Sequence, residues 1–249
     1  VALGVLMLDT IKSIILCHQE TTLQTGVSRD LELVPLPGKA AVCIGVRRSG
    51  KSTCLSQIMQ RLLDNGVSRQ NILYINFFDD RLHPLQHGGI SMVADAYYAL
   101  YPEKKNQETV YIFLDEIQMV AGWEPFVDRL LRTELCELYL TGSSARMLSK
   151  EIATQMRGRA LTWELFPFSF KEFLDAAQIK SQPPFSTKDR LLAQKGFEGY
   201  WESGGFPEVV ALDRRMRLKI HQEYFHTILY RDLVERNDIS HPQAVLDLA

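Results

Sequence analysis

Apolar positions along the chain form five short runs separated by longer segments with helical periodicity. The runs cover residues 40–45, 72–78, 110–114, 135–141 and, more weakly, 160–165. They contain many β-branched and aromatic residues without strict polar alternation, which is typical of strands buried on both faces of a parallel sheet. Helical patterns lie between them, at residues 51–65, 90–100, 123–133 and 145–156. The alternation predicts an α/β fold, a parallel sheet covered by helices.

The pattern changes after Pro167, where a polar, proline-containing stretch at residues 181–188 leads into a region that is helical to the end. Its clearest helix is predicted from Asp213 to about Asn237. We therefore expect three parts: an N-terminal amphipathic helical segment over residues 1–28, a sheet domain over 29–180 and a helix-rich unit over 181–249.

Composition and charge place the chain among ordinary globular proteins. Hydrophobic residues make up 46% and charged residues 23%, which excludes a disordered or collagenous chain. The net charge of −2 gives no argument for nucleic acid as the main partner. The apolar start is interrupted by Asp9 and Lys12, too soon for a membrane span, so no membrane partner is expected.

Four cysteines, widely spaced and without histidines at metal-ligand spacing, indicate reduced thiols and a cytoplasmic protein. They are Cys17, Cys43, Cys54 and Cys136. The first residue is not Met, and the chain stops at Ala249 within a predicted helix. We expect from this that it was trimmed at both ends.

The strongest chemical signal is GVRRSGKS at residues 45–52, which matches G-x-x-x-x-G-K-[ST] between a predicted strand and a predicted helix. Such a loop wraps its backbone N–H groups around phosphate, while Lys51 reaches the β- and γ-phosphates and the Ser52 hydroxyl holds Mg²⁺. The predicted nucleotide contacts are Gly45, Val46, Arg47, Arg48, Ser49, Gly50, Lys51, Ser52 and Thr53. Arg47 and Arg48 occupy variable positions of this motif, where their side chains need contribute only positive electrostatic potential.

A pair of carboxylates ends the strand YIFLDEIQ. Asp115 is placed to hold the Mg²⁺ shell and Glu116 to take a proton from the water that attacks the γ-phosphate. A kinase has no need to activate water, and the N/T-K-x-D guanine motif of GTPases is absent from the sequence. The pair therefore favours ATP hydrolysis.

Hydroxyl residues close the strand LYLTGSS at residues 138–144. A polar side chain at this strand end could contact the γ-phosphate or the attacking water. Ser143 is the first candidate, with Ser144 and Thr141 as alternates. Two further polar segments have ordinary interpretations on the residues alone: Arg157 and Arg159, beside Gly158, as surface charges or caps, and the basic run 214–219 as a salt-bridging helix face.

Taken in order, the segments GVRRSGKST, ILYINFFDDRL, LDEIQMVAGWEPF, LYLTGSSARML, MRGRALTWELFPFSFKEFL and GGFPEVV resemble the AAA-superfamily ATPases of prokaryotes related to the archaeal ATPase and STAND groups. Members often carry a C-terminal domain of unknown function. The resemblance implies a P-loop NTPase with a five-stranded parallel sheet in the order 5-1-4-3-2, Glu116 as the catalytic base and a sensor at the serine pair.

The same resemblance implies two arginine roles and assembly of several copies. Arg159, with Arg157 as alternate, falls where such ATPases carry an arginine that reaches the γ-phosphate held by a neighbouring subunit. Arg29 lies in VSRDLEL, which resembles the entry segment that lines the adenine pocket.

The sequence thus predicts a Mg²⁺-dependent ATPase that binds ATP and ADP, with hydrolysis coupled to conformational change or homo-oligomer assembly. One alternative is a nucleotide-gated scaffold with little hydrolysis that binds a protein or DNA partner through the helix-rich unit, for which a winged-helix-like form is an option. A phosphotransferase acting on a small substrate is a third interpretation, disfavoured by Glu116.

Overall fold

A computed structural model describes residues 2–143, 156, 158–235 and 239 of the chain. By their contacts, the residues group into two compact units. Unit 1 contains Val1–Gly26, Leu31–Gly45 and Lys51–Glu164, and unit 2 contains Val27–Asp30, Val46–Gly50 and Leu165–Ala249. The domain boundaries predicted after residues 28 and 180 stay predictions.

Unit 1 is built on one five-stranded sheet. Its strands are β1 (Ala40–Gly45), β2 (Ile72–Asn76), β3 (Val110–Asp115), β4 (Cys136–Ser143) and β5 (Ala160–Glu164). All neighbours pair in parallel, in the order β2-β3-β4-β1-β5. The predicted α/β fold and the order 5-1-4-3-2 are confirmed. Every residue of β1 is buried, which is why this strand is a continuous apolar run rather than an alternating one.

Two predicted strand ends are wrong by two residues: β4 continues to Ser143 instead of ending at residue 141, and β2 ends before its predicted end. The apolar run reaches Phe78, but β2 stops at Asn76 because the side-chain oxygen of Asn76 accepts a hydrogen bond from the Phe78 backbone N–H at 2.9 Å. This local turn closes the strand early. Asn76 pairs in register with Asp115, so β2 and β3 end at the same edge of the sheet.

Helices cover the sheet of unit 1. They are α1 (Ala2–Glu20), α2 (Lys51–Asp64), α3 (Ser91–Leu100) and α4 (Trp123–Thr133). Helix α1 contacts α3 and β2, and its Ile11, Ile14 and Ile15 side chains are buried in the core. The N-terminal helix is therefore an integral part of this unit. The helix predicted at residues 145–156 lies outside the described residues, apart from Met156.

Among the described residues of unit 2, every regular element is a helix. Its helices are α5 (Phe170–Ala176), α6 (Thr187–Ser203) and α7 (Arg214–Thr227). Ser169 and Ser186 open α5 and α6 with capping boxes, and Asp213 caps α7. The helix predicted from Asp213 to about Asn237 is α-helical only to Thr227 and continues as a π-helix over Ile228–Glu235.

The GGFPEVV segment packs within unit 2 in a way that requires glycine. The Phe168 backbone N–H donates to the Gly205 carbonyl at 2.6 Å. A Cβ atom on Gly205 would lie 2.3 Å from the Phe168 carbonyl oxygen, which is closer than real contacts allow. Gly205 therefore brings the chain after α6 against the entry to α5.

Candidate functional site

The glycine-rich loop connects β1 to α2, with Gly45 ending the strand and Lys51 opening the helix. Gly50 has φ +96°, a conformation that other residues rarely adopt, and a Cβ atom there would lie 3.3 Å from the Arg29 guanidinium. Arg48 also has a positive φ, 62°. The loop backbone thus takes the left-handed turns that a phosphate cradle needs.

Lys51 is buried at the start of α2. Its Nζ donates to the Gly45 carbonyl oxygen at 3.0 Å and lies 4.0 Å from Glu116 Oε1. Only 5% of its surface is exposed. The Lys51 ammonium group is thus held at the start of α2 beside a loop carbonyl and the Glu116 carboxylate.

The loop fits a nucleotide phosphate on its own chemistry. The Ser49 hydroxyl is buried and, among the described residues, has no hydrogen-bond partner. Buried polar groups of this kind mark places where a ligand or water supplies the missing bond. Within unit 1, the N-terminus of the 14-residue helix α2 and the Lys51 ammonium together suit an anion.

Arg29 connects the loop to α5 inside unit 2. Its Nε donates to Glu172 Oε1 at 2.8 Å, and its terminal nitrogens donate to the Ser49 and Phe166 carbonyl oxygens, each at 2.6 Å. The guanidinium also stacks over the Phe168 ring, 5.0 Å from its centre. Arg29 therefore holds the loop at Ser49. Its contact with adenine stays a prediction.

Glu172 is the carboxylate that pairs with the buried Arg29 guanidinium and stabilises it. It also accepts from the Asp30 and Ser169 backbone N–H groups, at 2.9 and 2.8 Å. Burial acts to raise the pKa of Glu172, but the hydrogen bonds from Arg29 and from the backbone outweigh it, and the pKa is lowered. The carboxylate is thus ionised and fully hydrogen-bonded at neutral pH.

Asp115 ends β3 and is completely buried. Its Oδ1 accepts a hydrogen bond from the Thr141 hydroxyl, and its Oδ2 accepts one from the Tyr74 hydroxyl at 2.9 Å. The Thr141 oxygen in turn accepts from the Glu116 backbone N–H at 3.0 Å. Thr141, an alternate in the sequence prediction, thus bridges the two acidic residues.

Tyr74 is a site residue that the sequence reasoning missed. It lies on β2, two residues before the strand end, and burial first, then the Asp115 charge, raises the pKa of its hydroxyl. The imidazole of His18 from α1 stacks on the Tyr74 ring with centres 4.3 Å apart. The available signal was a tyrosine within an otherwise apolar strand that neighbours the strand ending in Asp115.

Glu116 has a left-handed backbone, φ 55° and ψ 45°, where β3 gives way to a 3₁₀ turn at Ile117–Met119. Residues other than glycine rarely adopt this conformation, and such outliers concentrate at functional sites. The turn places Glu116 Oε1 toward Lys51 and Oε2 against the Gln118 amide. The structure therefore brings Lys51, Asp115 and Glu116 together.

Part of the predicted site lies outside the described residues. The side chain of Ser143, and Ser144 and Arg157 entirely, lie outside them. Arg159 is described: its Nε lies 3.3 Å from Asp128 Oδ1 on α4, with the side chain 34% exposed. Arg159 is thus paired within its own chain, and its role at a neighbouring subunit stays a prediction.

Arg48 reaches other residues of unit 2. Its guanidinium donates to Glu208 Oε2 at 2.7 Å and lies over the Tyr224 ring of α7, while the Tyr224 hydroxyl donates to the same carboxylate. The hydrogen bonds from Tyr224 first, and then from Arg48, lower the pKa of Glu208 despite its partial burial. A loop residue is thereby joined to α7.

A metal ion at this site would be held by few protein groups. Among the described residues, no group of three His, Cys, Asp or Glu side chains could hold a metal ion. Mg²⁺ bound by one carboxylate, one hydroxyl and substrate phosphates needs no such group. Asp115 and the exposed Ser52 fit that type of site.

In the described part of the chain, no helix is long and apolar enough to cross a membrane.

The sequence is similar to one protein family and to individual known proteins. A family model described as "AAA domain" matches residues 37–174. An uncharacterised protein of Methanocaldococcus jannaschii is 37% identical over 215 residues, 86% of this chain and 46% of the relative. An uncharacterised protein of Haemophilus influenzae is 36% identical over 197 residues, 78% of this chain and 46% of the relative. The chain spans about half the length of the curated relatives it matches.

Two solved structures are similar at low identity. A structure of the Aeropyrum pernix ORC1 protein in complex with DNA has a TM-score of 0.43 and 14% identity, covering 77% of this chain and 61% of that one. The structure of C. elegans PCH-2 has a TM-score of 0.44 and 13% identity, covering 99% of this chain and 68% of that one. The family model and the two sequence relatives, not these likenesses, fix the family.

Proposed function

Because the chain belongs to the AAA domain family, the AAA superfamily of P-loop ATPases, we propose that it binds ATP with Mg²⁺ and hydrolyses it. One observation carries the hydrolysis: the Glu116 carboxylate lies 4.0 Å from the buried Lys51 ammonium, beside the fully buried Asp115. A phosphate-binding lysine and a positioned base within one short distance are what attack by water on a phosphate requires.

Each residue has a distinct part in this proposal. The loop backbone and Lys51 bind the phosphates, and the lysine charge offsets the charge that develops on them. Ser52 and Asp115 hold Mg²⁺, which supplies further charge neutralisation on the phosphate oxygens when bound. Thr141 keeps Asp115 and the Glu116 backbone in a fixed relation, so the base is positioned before substrate arrives.

We also propose that nucleotide state is transmitted to the helical unit. Support comes from Arg48, which belongs to the loop and pairs with Glu208 while stacking on Tyr224 of α7. A loop that rearranges around phosphate would strain or release these contacts. The same contacts support a nucleotide-gated scaffold, in which binding alone changes the helices that face a protein or DNA partner.

A cytoplasmic location belongs to the same proposal. Cys17 and Cys136 are free thiols, and burial raises the pKa of Cys136 to about 12. Thiols of this kind suit a reducing compartment.

Phosphate release separates hydrolysis from scaffolding. The purified chain should release phosphate from ATP with Mg²⁺ and stop when the metal is chelated, and Lys51→Ala should lose both ATP binding and release. ATP binding without release at any chain concentration, with or without DNA, would instead favour the scaffold. Arg61→Ala is a matched control, since Arg61 also lies on α2 but ten residues from the loop lysine.

A further inference from the structure

Gln118 follows Glu116 by two residues and contacts its carboxylate. The Gln118 Nε2 group donates to Glu116 Oε2 at 2.5 Å. An ionised carboxylate only accepts hydrogen bonds, so the amide must turn its NH₂ end toward Glu116. This fixes the direction of the other end: the Gln118 carbonyl oxygen faces away from Oε2.

Within the described part of the chain, that carbonyl oxygen has no hydrogen-bond partner. Gln118 Oε1 is buried, and no donor within the described residues lies in hydrogen-bond reach of it. An unsatisfied buried acceptor costs about 1–3 kcal/mol, and native proteins rarely carry one without a reason. This acceptor belongs to Gln118, whose amide contacts the proposed base, Glu116, within the same turn.

In ATP hydrolysis, the attacking water carries an O–H bond that can donate to the Gln118 carbonyl oxygen. A water molecule that attacks phosphorus directs a lone pair at the phosphate, and its two O–H bonds must point elsewhere. One proton goes to the base. A second acceptor nearby fixes the remaining O–H, and this sets the direction of the lone pair.

We propose that Gln118 is a second catalytic residue for ATP hydrolysis, an inference that rests on the proposed function. Its Nε2 holds the Glu116 carboxylate, and its Oε1 accepts the second O–H of the attacking water. In the reaction, the water oxygen bonds to the γ-phosphorus, Glu116 takes the released proton, and the bond from phosphorus to the bridging oxygen breaks with its electron pair on ADP. Gln118 itself gains and loses no proton.

The test is Gln118→Leu, which removes the donor and the acceptor at similar size. The turnover number should fall roughly 10²-fold, the usual effect of misplacing a reacting group, while the Kd for ATP stays within twofold. Gln118→Glu, nearly identical in shape, keeps an acceptor but loses the amide donor. It should also be slow, which guards against a misfolded leucine variant.

The matched control is Gln60→Leu. Gln60 Nε2 makes the same kind of bond, to Asp64 Oδ1 at 2.8 Å, on the exposed face of α2. Turnover should be unchanged in this variant.

A double substitution distinguishes catalysis from support of the fold. If both residues act on one water, Gln118→Leu should change the residual rate of a Glu116→Gln protein less than about twofold. A full 10²-fold loss in that background, or parental turnover in the Gln118→Leu single variant, overturns the inference. Parental turnover in Glu116→Gln alone would instead remove the base from the proposed function.

Discussion

At the residue scale, the site is a set of fixed partners around two carboxylates. Both oxygens of Asp115 accept hydrogen bonds from hydroxyl groups, Thr141 on one side and Tyr74 on the other. Glu116 is held by its left-handed backbone and by Gln118. The geometry is set by neighbours of the acidic residues as much as by the acidic residues themselves.

Tyr74→Phe should weaken the binding of Mg²⁺, so that phosphate release requires a higher Mg²⁺ concentration. The change removes one of the two hydrogen bonds that orient Asp115, and partners of this kind typically affect metal affinity or activity by about 10- to 100-fold. We expect the Mg²⁺ concentration for half-maximal phosphate release to rise accordingly, with ATP binding in the absence of metal unchanged.

Tyr139→Phe is the control, because its hydroxyl donates to Glu137 Oε2 at 3.0 Å on the neighbouring strand β4. Its Mg²⁺ requirement should match the parent. Equal Mg²⁺ requirements in all three proteins would remove Tyr74 from the metal site.

The sequence predicted the acidic pair but not all of its partners, and the reason is physical. Asp115 and Glu116 end one strand and are visible in a linear motif. Tyr74 precedes Asp115 by 41 positions and meets it only because β2 and β3 lie side by side in register. Gln118 lies only two residues after Glu116, yet its contact with the Glu116 carboxylate depends on the left-handed turn at Glu116.

At the element scale, the sequence was most informative where burial dictates the pattern. β1, β3 and most of β4 are apolar because they are covered on both faces. All five strands are present where the sequence predicts them, with ends that differ by up to two residues. Ends were less predictable, since side chains such as Asn76 close a strand locally. The change from α- to π-helix at Ile228 has no counterpart in the periodicity.

Gly205→Ala should destabilise the helical unit. The added methyl group would meet the Phe168 carbonyl at 2.3 Å, a backbone atom that cannot move without breaking the hydrogen bond between the two residues. We expect a loss of roughly 1–3 kcal/mol in the free energy of unfolding, the typical effect of forced overpacking. Urea denaturation followed by circular dichroism measures it.

Gly199→Ala provides the comparison within α6. There the new Cβ would meet the Phe173 ring at an ordinary 3.9 Å, and alanine is favoured over glycine in a helix by up to about 1 kcal/mol. Its unfolding midpoint should therefore rise or stay level. A Gly205→Ala protein as stable as the parent would contradict the close contact.

At the scale of the whole molecule, the resemblance to oligomeric ATPases concerns Arg159. A guanidinium supplied by a neighbouring subunit is commonly worth about 10³–10⁵ in rate. Arg159→Ala and Lys51→Ala should each be nearly inactive, and mixing them should restore phosphate release by pairing an intact loop with an intact arginine. Activity of the parent should rise with concentration as copies assemble.

Arg132→Ala is the matched control, because Arg132 pairs with the same Asp128 carboxylate, at 2.6 Å, that Arg159 contacts. If the two arginines matter only through Asp128, both variants behave alike. An Arg159→Ala protein as active as the parent at every concentration would contradict the proposal that Arg159 acts on the γ-phosphate of a neighbouring subunit.

The most direct test of the central claim is turnover in Glu116→Gln, measured together with ATP binding. The substitution keeps the shape of the side chain beside Lys51 but removes the base. The Kd for ATP should stay within a few-fold of the parent, while phosphate release slows by about 10²–10⁴, the usual contribution of a general base. Parental phosphate release at unchanged ATP affinity would contradict the account.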